Sequence, residues 1–586
     1  MAAPNHQDVV LVTVLANRLE AITREMGAAM LRSARSPIFA QNRDFITAVF
    51  DRRLRLVGQS AYIPVLLGSA SFALEAISDY YGDDVHEGDV MILNDPFMGN
   101  NHLPDITVVR PVFRDGEVAF WALAKGHHAD LGGGGAAGYN PDVKTAWEEG
   151  IRITPSKLYS AGVYNRDLWQ MILTNVKLPS LVEGDLRCQV GATKIGERAL
   201  LELLDSYGLE TVDAAIDITL AKSEEQMRAK VRSMPRGRYS AERLLDYRPP
   251  DGSGQPRIRV SIEVEDDQIL FDFEGSSDQV PSYYNSTYAN TVACCFSALL
   301  STIGPDIRIN EGSMRPVVVR APVGSIANAS NGAATTMCTV ATCAAIVEAS
   351  WLALVQAVPE LTQANWARQG AATMSSGINP RSGLPFAVIH HFGKGGSGAC
   401  QGYDGWNHVS PVSSMGGSRA PDPELFEMRS PHLILAYELV PDSAGAGRWR
   451  GGHGAHYKVM FTSDSTSIVL EPAGFSESTA PQGICGGGSG SLARASISSA
   501  DGVVEVERPM LYRPRAGDVL DMHSSGGGGY GDPLQRPVEL VQHDVRSGLL
   551  AVARAATSYG VVINEGSQTV DVAATSALRN SRKGER

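Results

Sequence analysis

The sequence predicts a large, multi-layer α/β (α+β) protein, with a candidate metal site in its N-terminal half and a β-rich, glycine-rich C-terminal half. Three observations carry that expectation. Apolar residues recur at helical spacing from Asp8 to Ser33, short apolar runs between residues 90 and 124 break at an Asp-Gly pair, and glycine clusters punctuate the chain after residue 385.

In the first segment Leu11, Leu15, Leu19, Ile22, Met26 and Met30 fall within one arc at about 100° per residue, with Asn17, Glu20, Arg24 and Glu25 outside it. That is a core-facing amphipathic helix; its polar face is mixed in charge, unlike a membrane-surface helix. Val90–Leu93, Ile106–Phe113 and Glu117–Ala124 read as strands, the last two joined by Arg114-Asp115-Gly116. An Asp-Gly pair suits a hairpin turn that needs positive φ at both central residues. Residues 167–183 and 189–232 carry helical patterns. A boundary near 235–240 precedes a turn-rich connector, Tyr247 to Pro256, and a second hairpin from Ile258–Val264 and Gln268–Phe273. Residues 287–303 and 335–358 are helical again. Beyond 385, clusters such as Gly451-Gly452-His453-Gly454 and Gly526 to Gly529 separate short apolar runs. The expected divisions are 1–237, the metal-site region; 238–384, a middle α+β region; and 385–586, β-rich.

Length and composition exclude several classes. With 586 residues, 43% hydrophobic and 20% charged, the chain has ample core and is not disordered overall. The net charge of −13 repels phosphate backbones, so nucleic acid is not an expected partner. The basic residues Arg579, Arg582, Lys583 and Arg586 read as a frayed tail. Seven cysteines, without a CxxC pair or regular spacing, point to reduced thiols; four of them, Cys294, Cys295, Cys338 and Cys343, fall in apolar helical patterns. No apolar run spans a bilayer and no export leader is visible, so a cytoplasmic protein without a membrane partner is expected. No P-loop fits the glycine clusters and no Gly-x-Ser-x-Gly elbow is present. ATP, if used, is held elsewhere.

The densest set of chemical side chains flanks the first hairpin: Asp95, His102 and Asp105 before it, Lys125, His127, His128 and Asp130 after it. A two-residue turn at 115–116 makes partner numbers sum to about 231, which sets Asp105 near Gly126 and Pro104 near His127. Imidazoles and a carboxylate then converge, a donor set suited to zinc, manganese or iron. Neighbouring residues on a strand point to opposite faces, so one of His127 and His128 stands behind the other. A polar loop end is the plain alternative, and a fourth ligand must come from elsewhere.

At these residues the chain resembles the hydantoinase B/oxoprolinase family. The matching stretches are Ser33 to Asp44 (SARSPIFAQNRD), Gly88 to Gly99 (GDVMILNDPFMG), His102-Leu103-Pro104-Asp105, Gly126 to Gly133 (GHHADLGG), Gly447 to Gly452 (GRWRGG) and Gly526 to Pro533 (GGGGYGDP), in order along the chain. The resemblance implies one divalent metal, zinc first and manganese or iron as alternatives, held by Asp44, His102, Asp105 and His127. It implies a larger, actin-like ATP-binding partner of the hydantoinase A type in an α2β2-type hetero-oligomer. There, phosphorylation of an amide or enol oxygen activates the substrate; a lactam carbonyl so treated loses its resonance and gains a leaving group, while the ion lowers the pKa of water towards ~7. Within that picture His128 or Asp130 orients a ligand or moves a proton, and Lys125 stabilises anionic charge. The leading expectation is the metal-bearing subunit of an ATP-dependent cyclic-amide hydrolase acting on a hydantoin, oxoproline or lactam. The alternatives are a subunit of an acetone- or acetophenone-type carboxylase, and a non-catalytic scaffold with a structural ion.

Overall fold

The computed structural model describes residues 9–583 except 136–137, 251 and 369–372. Helix α1 (Val9–Ser33) forms over the periodic segment and buries Leu15, Leu19, Ile22, Met26 and Met30. Asp8, its expected first residue, lies outside the described residues. A single wide helical turn, Ile38–Asn42, follows and closes on Arg43 at φ 60°.

Strands β1 (Phe45–Asp51), β2 (Leu56–Ala61), β3 (Val90–Leu93), β4 (Asp105–Arg114), β5 (Glu117–His127), β6 (Ser156–Ser160) and β7 (Val163–Tyr164) build an antiparallel sheet ordered β2-β1-β5-β4-β3-β6-β7. The β4–β5 hairpin turns as the Asp-Gly pair requires, with Asp115 at φ 53° and Gly116 at φ 85°. Its register departs from simple counting. Phe113 pairs with Val118 but Val112 pairs with Phe120, so Ala119 is an extra residue, a β-bulge. Beyond it the pairs sum to 232, and Asp105 stands opposite His127 rather than Gly126.

One face of this sheet is covered by α1 and by helix α2 (Pro179–Tyr207), with close approach where Gly196 of α2 meets Met26 and Ala122, and helix α3 (Leu209–Arg232) packs against α1. Two helical patterns are divided differently from expectation. The first ends in a helix at Thr174 and restarts at Pro179, a residue suited to the first helical turn; the second breaks at Gly208, whose φ of 77° ends α2. Residues 287–340 meet the loop that leads into β4. There Thr287 caps helix α4 (Tyr288–Ile303) and its hydroxyl bonds the Asn100 carbonyl. A tight turn over Thr336–Thr339 leads into helix α5 (Ala341–Leu354).

Strands β8 (Gly237–Leu244), β9 (Arg257–Val264), β10 (Ile269–Asp272) and β11 (Val317–Arg320) form a second sheet, ordered β11-β10-β9-β8, with the β9–β10 hairpin as expected. The C-terminal region holds two more. One contains β12 (Met374–Ile378), β13 (Pro385–Ile389), β16 (Thr466–Leu470) and β19 (Met510–Tyr512); the other contains β14 (His432–Leu439), β15 (Ala455–Phe461), β17 (Arg494–Ser499), β18 (Gly502–Glu505) and β20 (Val519–His523). They share a core that includes Phe386, Tyr457, Val459, Ile468 and Leu520. A larger core draws on residues from Leu15 to Val469, so it runs beneath both sequence boundaries.

The glycine clusters pack backbone on backbone. A Cβ on Gly527 would lie 1.8 Å from the Ser397 carbonyl oxygen, so only glycine fits. The basic tail is not frayed up to Arg582. Helix Val572–Lys583 docks through Arg579, which donates to the Tyr559 and Arg536 carbonyls, and through Arg582, which donates to that of Thr557. Arg586 lies outside the described residues. Cys294, Cys295, Cys338 and Cys343 are buried and free. No helix among the described residues is long and apolar enough to cross a membrane.

Candidate metal centre

The site grows from one end of the first sheet. Phe45 pairs with Gly126 and Asp105 with His127, and the His127 amide donates to the Asp44 carbonyl at 3.0 Å. Asp44, His127 and Asp105 thus form one row across β1, β5 and β4. His102 joins from the loop before β4, where Pro104 and a backbone bond from Asp105 N–H to the His102 carbonyl, 3.2 Å, fold the chain back.

His102, Asp105 and His127 are 1%, 0% and 3% exposed, and one donor atom from each lies within 4.8 Å of the others. Asp105 Oδ1 is 3.1 Å from His102 Nε2 and 3.5 Å from His127 Nδ1. His102 Nδ1 is 2.6 Å from the Thr336 carbonyl oxygen, which can only accept. Its proton is therefore on Nδ1 and Nε2 presents a lone pair. His127 Nδ1 faces both the His102 Nε2 at 3.3 Å and Asp105 Oδ1 at 3.5 Å. Both Asp105 oxygens, and His127 Nε2, have no hydrogen-bond partner although buried. Buried acceptors without donors are costly, and a cation among them removes the cost. Two imidazoles and carboxylates fit zinc, manganese or iron.

The surroundings also set the charge of the two carboxylates. Burial would raise the Asp105 carboxyl, but His102, His127 and Lys125 outweigh it and hold the group well below the usual carboxylate range. Burial pushes Asp44 up to about 6 against the pull of His127 and His102. Asp44 lines the same cavity, of about 40 Å³, together with His102, Asp105, His127, Tyr139 and His391.

The other three expected site residues have different surroundings. Lys125 is buried on the same sheet face as His127, its amine donating to Ser69 and Asn101 at 2.5 Å; burial pushes it down to about 8. His128 points to the helical face, where Nε2 is 2.8 Å from Gln189 Oε1 of α2, and burial lowers its pKa. Asp130 accepts backbone N–H groups of Gly132, Lys177 and Leu178, tying its loop to the start of α2. None of Lys125, His128 and Asp130 lines the cavity. Asp95, the remaining member of the hairpin cluster, caps its own turn and pairs with Arg152 at 2.8 Å.

Sequence reasoning missed the opposite wall. Tyr139 stacks on His127 with centroids 5.8 Å apart. His391, at the end of β13, is buried with Nδ1 2.9 Å from Ser418 Oγ and 3.1 Å from Asn42 Nδ2, and burial holds it down at about 3. Its place beside His390 in a His-His pair was the one available signal.

Against this geometry the comparisons are decisive for family. The family model described as hydantoinase B/oxoprolinase matches residues 8–533. The chain belongs to that family. It is 35% identical to the caprolactamase subunit beta of Pseudomonas jessenii, over 98% of this chain and 99% of that one. Among solved structures it superposes on the ATP-dependent caprolactamase of the same organism with a TM-score of 0.91 and 34% identity, covering 98% and 100% of the two chains. A nucleotide-free acetone carboxylase gives a TM-score of 0.89 at 20% identity, covering 99% and 83%, which is a likeness of fold.

Proposed function

We propose that this chain is the metal-bearing subunit of an ATP-dependent cyclic-amide hydrolase, opening a lactam-type ring whose carbonyl is phosphorylated in a larger, actin-like ATP-binding partner. The observation that carries the reading is the trio His102, Asp105 and His127, whose buried acceptors lack donors at a cavity wall. Near-complete alignment with a caprolactamase beta subunit supports the ring chemistry and the need for a partner; the assembly we propose is of the α2β2 type. The glycine clusters, filled by backbone, offer no phosphate cradle of their own, so ATP belongs to the partner.

When bound, a divalent cation, zinc before manganese or iron, supplies a Lewis acid and acidifies water near neutral pH. The chain's own groups prepare that chemistry. His102 presents Nε2 because Thr336 holds its proton on Nδ1, and Asp105 stays ionised between the imidazoles. Asp44 completes the ligand row. Lys125, held behind the cavity wall by Ser69 and Asn101, adds positive charge beneath Asp105. Tyr139 closes over His127 and keeps bulk water out. His128 and Asp130 act at one remove, fixing the end of β5 and the following loop against α2.

The test is to purify the chain with its large subunit and follow ring opening of caprolactam, 5-oxoproline and hydantoin with ADP release. The expected result is ATP-dependent hydrolysis with one zinc per chain, lost in His102→Ala. Bicarbonate-dependent incorporation of labelled carbon would replace this reading by the carboxylase; undiminished turnover in an assembled His102→Ala complex would leave only the scaffold.

A further inference from the structure

The shortest contact between the middle of the chain and the metal centre is one peptide carbonyl. Thr336 C=O accepts the His102 Nδ1 proton at 2.6 Å, while the Thr339 hydroxyl stands farther from the same nitrogen, at 3.5 Å. Residues 335 and 336 are not part of a regular sheet or long helix that would fix that carbonyl. They are instead gathered by one carboxylate. Glu149 Oε1 accepts the Thr335 N–H at 2.8 Å, the Thr336 N–H at 2.6 Å and the Thr336 hydroxyl at 2.5 Å. Glu149 ends the short helix Ala146–Glu149, 3% exposed, and its other oxygen has no partner. The segment is pinned from both sides, since Ala146 N–H donates to the Gly332 carbonyl at 2.9 Å and Thr145 bridges Ala333.

We propose that Glu149 is a positioning residue for the cation site, acting through Thr335 and Thr336 to fix the tautomer and ring plane of His102. The inference rests on the metal reading above. A carboxylate that takes the N–H groups of two consecutive residues and the hydroxyl of the second fixes the backbone entering Thr336 and its side chain, which leaves the Thr336 carbonyl only rotation about its own ψ. A carbonyl so oriented keeps Nδ1 protonated and Nε2 bare. Histidine ligands in general owe orientation and basicity to such an outer partner; here the partner is a backbone carbonyl, with the carboxylate one step behind it. Glu149 and His102 come from segments 47 residues apart in sequence, and Thr336 from a third. Metal affinity therefore reports whether the middle region is docked.

The experiment uses the full chain with zinc as probe, its affinity read by chelator competition and its ligand geometry by the visible spectrum of the cobalt form. Glu149→Ala should weaken zinc roughly 10- to 100-fold, the usual cost of losing an outer-sphere partner, and shift the cobalt bands. Glu149→Gln keeps an Oε1 acceptor for all three donors and should restore affinity to within about 3-fold of the parent, with the parental spectrum. Thr336→Val, which removes only the hydroxyl donor, guards against a Glu149→Ala chain that fails to fold; it should fall between the two. Parental affinity and spectrum in Glu149→Ala and Thr336→Val would overturn this inference alone. Loss in Glu149→Gln equal to that in Glu149→Ala would overturn it too. A parent chain that binds no zinc would overturn it together with the metal reading.

Discussion

Two His-Asp-His clusters stand among the described residues, and they differ in what they lack. His102, Asp105 and His127 lie buried at the end of the first sheet; His456, Asp521 and His523 lie half-exposed on the C-terminal sheet, with donor atoms within 4.8 Å of one another in both. In the second, His456 Nδ1 meets Glu438 at 3.0 Å, its Nε2 meets Asp521 at 3.1 Å, and Lys458 takes the other Asp521 oxygen at 3.2 Å. The Asp521 carboxylate there is met by His456, His523 and Lys458. In the first, a carboxylate with no donor faces a lone pair from which the proton has been drawn away. Donor composition alone does not mark a metal site; buried, unsatisfied acceptors do.

The comparison breaks most visibly at His102. His102→Ala should abolish the bound zinc equivalent, measured by elemental analysis, and lower turnover of the assembled enzyme by more than the roughly 100-fold that loss of an outer partner costs. Zinc at about 100 times its dissociation constant should stabilise the parent by about 2.7 kcal/mol in a melt, and His127→Ala should lose that increment. A third test sharpens the role of neighbours in burial. Glu471 is buried as Asp105 is, yet burial wins there and raises it to about 8, because the Tyr283 and Tyr284 hydroxyls are neutral. A carboxyl raised in the folded state binds protons that the unfolded chain has released. Its contribution is therefore present below the ordinary glutamate range and is lost as pH rises through about 8. Metal-free protein should lose stability between pH 5 and 8, by at most about 1.4 kcal/mol per pH unit for this group, and Glu471→Gln should flatten that slope in denaturant titrations. The smallest effect is expected at the second cluster. His523→Gln should leave metal content unchanged and alter stability by less than about 1 kcal/mol, since its ion pairs are screened by solvent. A zinc equivalent lost in that variant would erase the distinction between the clusters.

Much of this was legible from local pattern. The stripe of α1, the Asp115-Gly116 hairpin and the gathering of His102, Asp105 and His127 at its open end all follow from periodicity and turn chemistry. The one-residue register error was not avoidable, because nothing in Phe113-Arg114 or Val118-Ala119 announces a bulge. The break at Gly208 was masked by helix-forming residues on both sides. Asp44 was reached through resemblance, because it joins its row only by the pairing of β1 with β5. Glu149, Tyr139, Thr336 and His391 come from four separate segments, and no spacing rule links them to the hairpin. Long-range convergence is a property of packing, which a window of neighbouring residues does not contain.

The bulged Ala119 works like a vernier on the hairpin. It sits near the turn, far from the open end, yet it sets the phase of everything beyond it. Were the ladder to run straight from the turn, Asp105 would face the row of Gly126 and His128, and His127 would swing to Gln189 and the helices. Two adjacent imidazoles would trade occupations without any change in their own sequence. Remote edits to that ribbon, including ones that touch no ligand, can therefore choose which histidine the cation meets.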